Sequence, residues 1–311
     1  MNVIKTVFRS PSQQATFLKI ISFILYAWND ALSKQLSTNI SAPLAPLSIV
    51  LIQYAIAALL LSPGFMIKIN NSPRVFAHSH LHLIRALLCA AGIVILNQSF
   101  QIMPLSYAVG FNLLSPCLTI ICAYYFFHEA LSQRKIIAII LSIIAYVILL
   151  DSRHDLPSDL SLQACLLPSL AMLCFQANTL VTKQLAKSKE STLNLTLSLF
   201  FLIPLLLCPL HLSTLDWPSI NQSQTITLCQ MAINGIVAAF ALHRAIASVE
   251  LIFLIPFGFL KYGIVSAFGF LYFAELPGVS HSIGISITLC TLILLNMGYR
   301  RTDRVQGHLS A

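Results

Sequence analysis

The feature that most constrains this chain is a succession of ten apolar runs, each near the roughly 20 residues a helix needs to cross a bilayer. They cover residues 17–37, 46–67, 81–103, 105–127, 133–151, 161–186, 192–212, 225–247, 250–273 and 280–299. Inside lipid every backbone N–H and C=O must be satisfied by the chain itself, and runs of this length do that as helices. Only 9% of the 311 residues are charged and 57% are hydrophobic, against roughly 25% charged in a soluble domain. The sequence therefore predicts an all-α polytopic membrane protein with ten transmembrane helices. Met103–Pro104 separates the third and fourth runs, because proline removes a backbone donor. His243, Arg244 and Glu250 interrupt the eighth and ninth. The first sixteen residues are polar and basic and the run after them is long enough to span, so it reads as a retained helix rather than a cleaved leader.

The basic residues orient these helices. With the N-terminus in the cytoplasm, Lys34 and Arg153 fall outside and Lys261 lies within a span. Every other lysine and arginine falls on or near the cytoplasmic side, as the positive-inside rule requires. This places both termini in the cytoplasm of a cell with an inner membrane. It also accounts for the net charge of +8 without any nucleic-acid partner. The eight cysteines all lie in apolar runs without a Cys-x-x-Cys pair, and read as small buried apolar residues.

The chain also echoes itself. Asn29, Lys34, Gln35 and Leu36 recur as Asn178, Lys183, Gln184 and Leu185. Gly92-Ile93-Val94 recurs as Gly235-Ile236-Val237, and Phe127-His128-Glu129 as Phe273-Ala274-Glu275, in the same order and at nearly equal intervals. Five spans per half is an odd number, so the second half must enter the membrane in the opposite sense. Two inverted five-helix repeats are predicted, over residues 1–152 and 160–303. The acidic, proline-containing stretch Asp151–Ser161 links them.

Pro104-Leu105-Ser106-Tyr107-Ala108, then Leu114-Ser115-Pro116, a long apolar run, Glu129 and Arg134 resemble the EamA family of the drug/metabolite transporter superfamily. That resemblance implies ten helices in two inverted halves, with a glutamate closing the fourth helix of each. Within the superfamily the chain is most similar to S-adenosylmethionine transporters. The shared residues are Asn29-Asp30, Ser33-Lys34, Arg244-Ala245, Val249-Glu250, Pro256, and Glu275 followed by Pro277. Gly258 and Lys261 stand where that subgroup carries an arginine and a glutamate.

Polar residues inside spans are expensive, and mark substrate or ion paths when they are not structural. Asp30 lies about 20 Å along the first run from Phe17, still within the hydrocarbon core. It can bind a cationic group, carry a proton, or pair with Lys34 one turn on. Asn29, Gln176 and Asn178 can hydrogen-bond a substrate from the two related first helices, or tie helices together. Asn97 and Asn112 add amides in the third and fourth spans. Tyr54 and Tyr107 add hydroxyls, and Trp28 can stack on a purine-like or cationic group, or all three rings can simply pack. Glu250, Phe257 and Lys261 complete the candidate substrate site in the ninth span, with Glu250 and Asp30 read as deep acids and Lys261 as the deep base. Glu129 and Glu275 are read as structural, and His78, His80 and His82 as solvated loop residues. His128-Glu129 lacks the second histidine of a zinc-protease motif.

The function this predicts is secondary transport of a small polar or zwitterionic metabolite, with S-adenosylmethionine as the resemblance-led substrate and amino-acid or other metabolite export as the alternative. The cavity should lie between the halves, lined by spans one, three, four, six, eight and nine. No nucleotide-binding loop is present. No cofactor is implied, and the partners are the substrate, the lipid bilayer and, in a homodimer, a second copy. A membrane enzyme would need clustered catalytic groups at one face, and a sensor would need a sizeable aqueous domain. The sequence offers neither. A cysteine placed in the Asp151–Ser161 linker should react with an impermeant thiol reagent added outside. Labelling only from the cytoplasmic side would overturn the orientation.

Overall fold

Over much of the molecule the large apolar side chains point outward. Leu59, Phe126 and Leu271 are 70% exposed or more, while His82, Arg85, Lys34 and His243 are buried. That inversion suits a solvent of lipid, where apolar surface carries no cost and polar groups need internal partners. The computed structural model describes residues 11–39, 42–71, 78–128, 131–151, 162–214, 219–275, 278–279, 282–284, 286–287 and 290, with no strand among them.

The helices are α1 (Pro11–Ser37), α2 (Pro46–Asn71), α3 (Ser79–Ile102), α4 (Leu105–Gly110), α5 (Ser115–Phe127), α6 (Gln133–Asp151), α7 (Leu162–Lys187), α8 (Thr192–Thr214), α9 (Gln222–Ser248) and α10 (Leu251–Phe273). A 3-10 turn, Phe111–Leu114, joins α4 to α5 into one continuous rod. Six spans among the described residues are long and apolar enough to cross a membrane, namely those carried by α2, α3, α4–α5, α7, α8 and α9. The chain is a multi-pass membrane protein. α1 falls short of that standard because Asn29, Asp30, Lys34 and Gln35 dilute its apolar residues. Most of the tenth apolar run, Glu129 and the 152–161 linker lie outside the described residues.

Packing interleaves the early and late parts of the chain. The most extensive pairings are α3 with α7, α1 with α9 and α10, and α2 with α8. α3 and α7 meet at Gly92. A Cβ there would lie 2.9 Å from Phe175 Cε1 and 3.2 Å from Cys174 Cβ, so only glycine permits the approach. Its counterpart Gly235 faces Asn29 of α1 and Gln53 of α2.

The echo in the sequence has a backbone equivalent. α3 ends at Met103 (φ −145°, ψ 162°) and α9 at Val249 (φ −143°, ψ 170°). The next residues, Pro104 (φ −56°, ψ 146°) and Glu250 (φ −62°, ψ 147°), start α4 and α10. α5 and α10 both stop on a left-handed residue, His128 (φ 54°, ψ 33°) and Ala274 (φ 52°, ψ 29°). In each pair the two residues stand at the same sequence interval.

Two readings of the sequence are corrected here. His82 is no loop residue. It lies in α3, 1% exposed, because the helix begins at Ser79, earlier than the apolar run suggests. His80, also read as a loop residue, lies in the first turn of the same helix, exposed. Arg85, expected on or near the cytoplasmic side, is wholly buried, surrounded by hydroxyls and a carbonyl of α7 and α8 and the imidazole of α9.

Gly92→Val should overpack the α3–α7 contact and cost about 1–3 kcal/mol, seen as a lowered unfolding temperature in detergent. Gly64→Val, where a Cβ meets nothing within 4 Å, is the control and should shift it far less.

Candidate functional site

α1 concentrates polar side chains within two turns and distributes them by helical periodicity. Asn29 points to α9, where its Nδ2 donates to Met231 O at 2.9 Å and its Oδ1 accepts from Asn234 Nδ2 at 3.2 Å. Gln53 of α2 donates to the same Met231 carbonyl at 3.2 Å. Asn29 is therefore interhelical glue, as amides often are in membranes.

Asp30 and Lys34, one turn apart, both face α10. Asp30 Oδ2 lies 2.7 Å from Lys261 Nζ. Lys34 pairs instead with Glu275 just beyond α10, and donates to Met103 O at 3.1 Å. The pairing of Asp30 with Lys34, one of the readings the sequence left open, thus does not form, because each has a partner across the seam. Glu275 also accepts the Leu105 backbone N–H at 2.8 Å, supplying an anion to the free donors at the start of α4. Gly269 makes this fit, since a Cβ there would stand 2.9 Å from Glu275 Oε2.

The Asp30 and Lys261 side chains remain 15% and 21% exposed, so the pair is sheltered yet reachable. Lys261 Nζ sits 6.0 Å from the Tyr26 ring centroid. Trp28 packs edge-on against Phe268 and Tyr272, with centroids 5.2 and 5.3 Å away, on the same α1–α10 seam.

The other candidates are scattered. Tyr54 is buried and stacks on Phe200 at 5.0 Å. Tyr107 is buried and donates to Leu149 O at 2.9 Å. Gln176 bonds Ser115 and Thr119, holding α7 to α5. Asn112 donates to Val109 O at 3.0 Å within its own turn, and Asn97 is buried on α3. Phe257 packs edge-on with Phe253 at 6.0 Å. Asn178 Oδ1 is buried without a hydrogen-bond partner among the described residues, the state of an acceptor that awaits a donor. Glu250 is not a deep acid. It stands exposed at the N-cap position of α10, where the chain has just left α9, and its side chain makes no capping hydrogen bond.

Comparison with known proteins bears on this arrangement. Residues 14–151 match the EamA-like transporter family. This is the family that Pro104–Ala108, Leu114–Pro116 and Glu129 resemble. A riboflavin transporter of Brucella anthropi is 24% identical over 242 residues, which is 76% of this chain and 83% of that protein. A crystal structure of another protein superposes with a TM-score of 0.69 over 94% of this chain and 99% of that one, at 11% identity, which shows a shared fold.

The protein holds a second polar cluster that sequence reasoning missed. Arg85 donates to Ser198 Oγ at 3.0 Å, to Leu195 O, and to His243 Nε2 at 3.3 Å. His82 Nδ1 bonds Ser198 Oγ at 2.7 Å, and its Nε2 stands 3.7 Å from Glu190. The available signal was two histidines and an arginine inside otherwise apolar runs, a placement that lipid penalises.

Removing Glu275 as Glu275→Gln strands the Lys34 charge. The loss should be on the order of 3–5 kcal/mol, the cost of breaking a buried pair, measured by denaturant unfolding in micelles. Lys34→Met combined with Glu275→Gln should recover part of it. Losses that simply add would show the two groups to be uncoupled.

Proposed function

We propose that the protein is an inner-membrane secondary transporter of a small, polar, zwitterionic metabolite. It is built as two inverted five-helix halves that rock about the α1–α10 seam. The observation that carries this reading is the Asp30–Lys261 ion pair, which joins α1 to α10 and stays partly accessible. Such a pair satisfies itself when the site is empty. A zwitterion can split it without leaving any charge bare, its cationic group facing Asp30 and its carboxylate facing Lys261.

The EamA-like match over residues 14–151 and the Brucella anthropi relative support transport of a small molecule. The inverted two-half division over 1–152 and 160–303 is supported by the matching helix ends at Met103 and Val249. It is further supported by the two lysines, since Lys34 donates to Met103 O and Lys183 donates to Val249 O at 2.5 Å. Repeat-related groups doing the same task at corresponding helix breaks are what such a duplication leaves. Both termini lie in the cytoplasm on this reading, which follows the basic residues.

S-adenosylmethionine is the leading candidate substrate. Its sulfonium and ammonium suit Asp30, its carboxylate suits Lys261, and Trp28 offers a ring near the same seam. A second reading is a neutral flavin, favoured by the relative that transports riboflavin. The charge pair separates the two, because a neutral ligand gains nothing from splitting it.

Uptake into proteoliposomes decides the matter, with labelled S-adenosylmethionine, a panel of amino acids and riboflavin compared. Asp30→Asn and Lys261→Met should each weaken apparent affinity for the zwitterion by an amount equivalent to about 2–5 kcal/mol. Transport by both variants at near-normal affinity would make these charges structural. Riboflavin uptake insensitive to either would establish the second reading. Failure of Asp30→Asn alone, with loss of dependence on a pH gradient, would make Asp30 a proton carrier.

A further inference from the structure

His243 lies on α9, buried, with both ring nitrogens engaged. An arginine only donates, so Nε2, 3.3 Å from Arg85 Nη1, must be an acceptor and carry no proton. Nδ1 lies 3.0 Å from Thr196 Oγ1, whose own hydrogen goes to Thr192 O at 2.9 Å. The ring proton therefore sits on Nδ1 and is donated to Thr196. This network accepts a neutral imidazole alone. A proton added at Nε2 would turn an accepted hydrogen bond into two cations in contact.

The same guanidinium is what holds this end of the bundle together. Arg85, on α3, reaches Thr182 of α7, Ser198 and Leu195 O of α8, and His243 of α9. It has no carboxylate within ion-pair distance among the described residues. The charged and titratable groups around His243 are Arg85 and His82, both from α3. Glu190 is engaged with His82, and with His78 at 3.8 Å. No acid faces His243 among the described residues to offset a second positive charge beside Arg85.

We propose that His243 is a proton-binding site whose occupancy is incompatible with the closed Arg85 contact, so that binding a proton favours separation of α3 from α8 and α9. This rests on the reading of the chain as a transporter whose halves move apart. The site would take the coupling proton, distinct from the Asp30–Lys261 pair that takes substrate. The sign follows directly. The closed contact needs neutral His243, so it is favoured at high pH and weakened as pH falls through the range where a released imidazole titrates.

Hydrogen–deuterium exchange of the purified protein in nanodiscs tests this, from roughly pH 8 to roughly pH 5, across the ordinary imidazole value near 6.5. After correction for intrinsic exchange, the segments 79–86 and 192–199 should lose protection as pH falls. One linked proton gives at most about a tenfold change per pH unit. His243→Gln keeps a neutral acceptor for Arg85 and a donor for Thr196, and should flatten the profile while the segments stay protected. Arg85→Met removes the opposing charge and should also flatten it, which keeps the test alive if His243→Gln fails to fold. A flat wild-type profile would overturn the proposal. So would a His243→Gln profile that still falls with pH, which would move the proton to another group such as His82. The measurement needs no substrate, so its outcome stands apart from whether uptake is found.

Discussion

The structure depends on how the Lys34 ammonium is accommodated inside an apolar bundle. A lone charge there is costly, and a lysine on a first helix has few ways to reach water. Here it meets Glu275 from the far end of the chain and the Met103 carbonyl where α3 breaks. Glu275 in turn takes the backbone N–H of Leu105. Three features that are separately unfavourable thus become mutually satisfying: a buried cation, a buried anion and a broken helix. The break at Pro104 leaves the Met103 carbonyl and the Leu105 N–H without helical partners, and the ion pair occupies both.

The same logic extends along α1. Asn29 is held by α9, Asp30 by Lys261 and Lys34 by Glu275, so the most polar helix is also the one most bound to the late part of the chain. The two ion pairs differ in kind. Lys34–Glu275 is tied into backbone groups at a helix break and has nothing to exchange with. Among the described residues Asp30–Lys261 shows no such backbone ties beyond the pair itself and the nearby Tyr26 ring, and its side chains are more exposed. A pair whose members satisfy only each other is the one a charged ligand can enter at least cost.

On the other side of the bundle Arg85 plays a comparable part with neutral acceptors. Hydroxyls, a carbonyl and an imidazole solvate it, which leaves its charge in place and makes it sensitive to any further cation nearby. The bundle is therefore fastened between its early and late helices by polar contacts of three sorts: a helix-break lock, a partly exposed ion pair and a caged guanidinium. The EamA-like match spans the early helices that supply Asp30, Lys34 and Arg85, and not the late helices that supply their partners.

Membrane class, helical class and most helix positions were legible in the sequence, because lipid enforces them locally. An apolar run of sufficient length has no other stable form there, and Pro104 breaks a helix wherever it stands. The echo of Asn29 and Lys34 as Asn178 and Lys183 was legible too. Lys261 is not the lone base inside the bundle that the sequence suggested, since Lys34, Lys183 and Arg85 are buried as well. Pairing was not legible. Nothing in the order of residues tells Asp30 to choose Lys261 over Lys34, which is nearer in sequence. Nor does it tell His82 and Arg85 to turn inward rather than remain at a polar surface. Those outcomes depend on which helix faces meet between distant parts of the chain, and electrostatic partners are chosen by that proximity in space. The sequence by itself determined that polar groups had to be buried in lipid; only the tertiary structure decided which of them satisfy one another.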